Sequence, residues 1–142
     1  MTVANGLEVI RVALLALVFA FGPTACSSDA PVPLADYPKQ LVGEWQGTIG
    51  DTKETMAFNA DGTFVARVRP TGFISNTLGQ GVTGTIRGKW TIADKVVTMN
   101  VNSAEHERLI NRTTTSTIES FKQNEIVVKS STGAVTTFVR LL

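Results

Sequence analysis

From 43 to 142 no helical period emerges, and the clearest segments, 63–69 and 85–92, alternate polar and apolar residues at period two. This pattern confines the fold to strands that bury one face. β-Branched residues reinforce it: Thr113-Thr114-Thr115-Ser116-Thr117-Ile118 suits a strand and would sit poorly in a helix. Strands are expected over 43–49, 54–58, 63–69, 85–92, 96–101, 108–121, 125–130 and 135–142, the sixth either continuous or bent. Turn residues separate them at short intervals: Gly50-Asp51, Asn59-Ala60-Asp61-Gly62, Ala93-Asp94, Lys122-Gln123-Asn124 and Ser131-Thr132-Gly133. Within 63–69, Phe64, Ala66 and Val68 fall on one face and Val65, Arg67 and Arg69 on the other. Within 85–92, Ile86, Gly88, Trp90 and Ile92 oppose Arg87, Lys89 and Thr91.

The expectation is therefore an all-β fold, an antiparallel up-and-down barrel of about eight strands joined in order. Closure of such a sheet removes its exposed edges. A β-sandwich uses the same strands and is the alternative. Eight strands enclose an interior that side chains just fill, or one that holds a single small ligand. Met56, Phe58, Phe64, Trp90 and Met99 are expected to point inward. The connection over 70–83 is longer than a hairpin and carries Phe73, Ile74 and Leu78, which either plug the barrel or meet a partner.

The segment ahead of the strands has another logic. Residues 12–22 are an uncharged run of eleven, too short for the roughly 20 apolar residues of a membrane span but within the roughly 7–15 of a secretory h-region. Pro23 then breaks the helix, and Thr24 and Ala25 are small enough for a peptidase to reach the backbone. Cys26 is the only cysteine, so it has no partner for an internal disulfide. The pattern Thr24-Ala25-Cys26, with Pro23 where Leu is usual, resembles bacterial lipoprotein signal peptides. That resemblance implies cleavage after residue 25, lipid on Cys26 and attachment to a membrane. Ser27 at the second mature position implies the outer membrane of a Gram-negative cell envelope, with the domain in the periplasm. More than one acyl chain, at about 0.8 kcal/mol per buried methylene, makes such an anchor stable. The expected division is 1–25 signal peptide, 26–40 lipidated cysteine and flexible tether, and 41–142 barrel domain. Removing 1–25 takes away Glu8 and Arg11, so the net charge of +1 is unchanged. Charges spread along a near-neutral chain give no reason to expect nucleic acid as a partner.

Leu41-Val42-Gly43-Glu44-Trp45 follows a short turn at Asp36-Tyr37-Pro38-Lys39-Gln40. A turn followed by Gly-x-Trp at the head of the first strand resembles the lipocalin-like families of the calycin group. Phe58-Asn59-Ala60-Asp61-Gly62-Thr63-Phe64, Gly88-Lys89-Trp90 and the terminal Phe138-Val139-Arg140 also resemble small bacterial members of that group. The resemblance covers 41–142 and implies that Trp45 closes one end of the barrel against a basic residue of the last strand, Arg140. Avidin-like barrels share the opening Trp but ring their ligand with several, whereas only Trp45 and Trp90 occur here.

Catalytic chemistry finds no footing. Gly79-Gln80-Gly81-Val82-Thr83-Gly84 has dinucleotide-site spacing, but it leads into a strand rather than a helix. His106 is the sole histidine, with Glu105 and Glu107 turned to the opposite face, so no metal site is expected. No nucleophile-elbow pattern occurs, and the acids cluster at turns (Asp51, Asp61, Asp94), where they hydrogen-bond backbone. The expectation is a non-enzyme with no cofactor. It is a lipid-anchored binding protein for a small apolar ligand, with Phe64, Phe73 and Trp90 as pocket walls. The alternative is a solid barrel that binds an envelope protein or acts as an inhibitor through its 70–83 loop, which an exposed apolar patch there would mark.

Overall fold

The computed structural model describes residues 29–70 and 83–142; the expected signal peptide, Cys26 and Phe73 lie outside the described residues. Eight strands form: β1 (Gly43–Ile49), β2 (Thr52–Phe58), β3 (Thr63–Pro70), β4 (Gly84–Ala93), β5 (Val96–Ala104), β6 (Thr113–Lys122), β7 (Glu125–Ser130) and β8 (Val135–Arg140). Each pairs antiparallel with the next, and β8 returns to β1 through Trp45↔Arg140, Gln46↔Val139 and Gly47↔Phe138, so the sheet is a closed barrel. Closure decides between barrel and sandwich. No helix among the described residues is long and apolar enough to cross a membrane.

The antiparallel order fixes two ends. Trp45, Arg140, the Asp94-Lys95 turn and the 123–124 turn share the base. The 50–51 turn, the ends of β3 and β4 that flank 71–82, and the 131–134 turn share the rim. At the base a five-residue helix, α1 (Tyr37–Leu41), replaces the expected turn, with Pro38 in its first positions where a missing N–H costs nothing. Tyr37 packs against Phe121 at 4.9 Å between ring centroids, and Leu41 is fully buried.

Two elements depart from the expected boundaries. The tether expected over 26–40 is held to the barrel from Pro31 onward. Pro31 bridges to Lys122, and the Val32 N–H donates to the Phe121 carbonyl at 2.8 Å. An apolar Val32 packed on the core makes this attachment favourable where proline-rich composition alone suggests freedom. The strand expected over 108–121 begins only at Thr113, because Asn111 takes φ 62° and Glu107–Leu109 form a 3-10 turn. Asn111 is one of the two non-glycine residues with positive φ among those described.

The core is uneven. Around β3 and β4 large rings fill the interior: Phe58 meets Trp90 edge-on at 5.3 Å, and Phe64 lies over Gly88. A Cβ at Gly88 would fall 1.9 Å from the Asn100 carbonyl oxygen, so the β4–β5 contact needs glycine at that point. Opposite, the inward positions nearer the rim are small or hydroxylic (Ser116, Ser130, Ala134, Thr136), and they leave space.

Candidate functional site: the barrel interior

The base is sealed by a cation resting on an indole. Trp45 is completely buried, and its indole N–H donates to the Leu41 carbonyl at 2.8 Å. The Arg140 guanidinium lies 4.2 Å from the centre of the Trp45 ring. Its Nε donates to the Gln123 carbonyl at 2.9 Å, its Nη1 to Val42 at 3.0 Å and its Nη2 to Gln40. Partial burial pulls the Arg140 pKa below its ordinary value, since desolvation opposes the charged form. Gly43 has φ 136°, and a Cβ there would stand 2.6 Å from Arg140 Nη1. The Gly-x-Trp spacing is thus explained locally: glycine admits the guanidinium that covers the tryptophan.

Above this floor lies a cavity of about 120 Å³. Its walls come from β1, β2 and β5–β8, from Trp45, Ile118 and Phe138 low in the barrel to Ile49, Ser130 and Ala134 at the rim. The surface is mainly apolar. An engineered apolar cavity of about 150 Å³ accepts a benzene-sized molecule, so this space is of the right order for one small ring or a short chain.

One carboxyl group intrudes. Glu54 on β2 shares the inward face with Met56 and Phe58 and lines the cavity. Its strand partners are Gly47 on β1 and Val68 on β3, neither of which can neutralise it. Burial raises its carboxyl pKa above the ordinary value. The Glu54 side chain is half-buried and takes part in neither of the ion pairs Lys122–Glu125 and Lys129–Glu119. Selecting residues by type does not find Glu54, because a carboxylate in a strand is ordinarily solvated. Period-two parity does find it, since 54, 56 and 58 point the same way.

The expected pocket walls are placed differently. Phe64 and Trp90 are buried, yet neither lines the cavity. Both belong to the packed half, where Gly88 lets Phe64 close against β4 and the Trp90 indole N–H donates to the Asn59 carbonyl at 3.1 Å. The outer edge of Trp90 reaches a shallow depression on the base beside Pro38, Val42 and Ile92. Phe73 lies outside the described residues. Met56, Phe58 and Met99 do line the cavity.

Other features of the sequence stay apart from this space. Gly84 opens strand β4, so no helix follows the glycine-rich motif. His106 precedes the 3-10 turn of the β5–β6 connection, where its carbonyl accepts from the Leu109 N–H at 2.9 Å. Among the described residues no three His, Cys, Asp or Glu side chains converge as metal ligands would. Charges that are spread along the sequence are gathered in space. The outer faces of β2, β3 and β4 bring together Lys53, Arg67, Arg69, Arg87 and Lys89, all exposed. Glu105, accepting from the Thr85 N–H at 3.0 Å, lies at the rim end of this strip. Set beside known proteins, the chain matches no family model and no curated protein.

Proposed function

We propose that this chain is a lipocalin-like binding protein of the cell envelope, held to the membrane by lipid on Cys26 and carrying a small apolar ligand inside its barrel. The observation that carries this reading is the cavity itself: a sealed floor of Trp45 and Arg140, apolar walls and a rim bordered by the 50–51 and 131–134 turns. A protein that only needed stability would gain from filling such a space, because each unfilled methyl-sized void costs about 1 kcal/mol.

The anchor and the cavity fit together geometrically. With Pro31 fixed at the base, only residues 26–30 remain as a tether, a reach of at most about 17 Å. Lipid on Cys26 would draw the base toward the bilayer and turn the rim away from it, into the periplasm on this reading.

Native mass spectrometry of the protein exported by its own host is the test. The expected result is an added mass that is reproducible and released on denaturation. A bare protein mass from every preparation would refute the carrier and direct attention to protein partners of the 70–83 loop.

A further inference from the structure

We propose that the ligand is a small apolar cation, an amine or amidine whose charged group sits on Glu54 while its hydrocarbon part occupies the cavity below. This inference rests on the binding role proposed above and names the chemistry of that same site.

Glu54 is a half-buried carboxyl on the wall of an apolar cavity. A carboxylate can only accept hydrogen bonds, and one drawn partly out of water gains from a cation that meets it. Glu54 faces the cavity with Gly47 and Val68 beside it on the neighbouring strands and hydroxyls, Ser116 and Ser130, across from it. Among the described residues no cation lines the cavity: Lys53 and Arg69, adjacent in sequence or across the ladder, are exposed on the outer face. The 71–82 segment contains no ionisable residue at all. A cationic ligand would supply the pairing that no described side chain gives this half-buried carboxylate.

The level of Glu54 sets the shape of that ligand. Met56 pairs with Trp45 and Glu54 with Gly47, two residues nearer the rim. The carboxylate thus stands about 7 Å above the indole floor, at roughly 3.4 Å per strand residue. A cation there can direct a short chain or a single ring down onto Trp45, Ile118 and Phe138. A charged group at the rim and a hydrocarbon tail at the floor satisfy both halves of the cavity. A fully apolar ligand would leave Glu54 as it is; an anionic one would be repelled.

Three probes of one tail length separate these cases: hexylammonium, hexanol and hexanoate, titrated calorimetrically into the purified protein near neutral pH. The expected result is hexylammonium binding at least about tenfold tighter than hexanol, with hexanoate weakest, and a Glu54→Gln variant that abolishes the preference while retaining hexanol. Equal binding of the ammonium and the alcohol, or an ammonium preference that survives Glu54→Gln, would overturn the cation and leave the apolar pocket standing. If none of the three binds, the pocket reading fails and the cation with it. The wild-type protein supplies a readout independent of whether the variant folds. Hexylammonium affinity should fall as pH is lowered through the Glu54 titration while hexanol affinity stays level; a level ammonium profile would overturn the proposal. The other ionisable groups near the rim, Asp51, Glu105, His106 and Glu107, lie outside the cavity lining, so an ammonium pH dependence that survives Glu54→Gln would be theirs and would overturn the assignment to Glu54.

Discussion

Arg140 and Glu54 are opposite solutions to placing a charge inside a barrel. The guanidinium is matched by an aromatic face and three backbone carbonyls, so removing what it covers should be costly. Trp45→Ala is expected to destabilise the protein by about 3–5 kcal/mol, read from urea unfolding; a loss below about 1 kcal/mol would mean that the base is not sealed by this ring. Glu54 has no such match, and its raised pKa fixes a direction. The folded protein holds this proton more tightly than the unfolded chain, whose carboxyl keeps its ordinary value. The penalty is therefore absent below that unfolded value and grows as pH rises through the folded one. Asp61 acts with the reverse sign. The hydroxyl and N–H of Thr63 donate to it at 2.6 and 2.9 Å and lower its pKa, so that its contribution is lost in acid. Comparing wild type with Glu54→Gln cancels the Asp61 effect. The expected outcome is a variant that gains relative stability from mild acid toward neutral pH, and a flat difference would show that Glu54 is solvated.

At the scale of elements, the stretch around α1 shows how little local propensity decides. Five residues are too few for a stable isolated helix, so α1 exists because Tyr37 and Leu41 find Phe121 and the floor beneath them. The Pro31 bridge and the Val32 hydrogen bond extend that seam. A chain beginning at Asp36 should be less stable than one beginning at Asp29 by about 1–2 kcal/mol, from one half-buried valine and its backbone pairing. Equal urea midpoints would make 31–35 an ordinary tether. None of this seam is visible in a proline-rich composition, because its cause lies in Phe121 and Lys122, far along the chain. Strands defined by their own alternation were legible. β1 and β7 keep the boundaries that their flanking turn residues imply, 43–49 and 125–130. β6 does not, since a positive φ at Asn111 is a tertiary choice that a Thr-rich run conceals.

For the whole molecule, alternation and turn spacing carried the architecture, and Gly43, Trp45 and Arg140 meet at the base. The interior was less legible. Whether Phe64 and Trp90 fill space or line it depends on the glycine opposite and on strand register, and register also assembles the basic strip on β2–β4 from scattered residues. The same register has a consequence in time. The contacts that lock the base join Arg140 to Val42 and Gln40, 98 and 100 positions earlier. Until β8 is available, β1 has an open edge, Trp45 lacks its cover and no smaller closed sheet can form. While the chain is being made it therefore has little reason to fold early, and folding becomes slow, late and all at once, as pairings of long sequence separation require. The domain closes only when its last strand arrives.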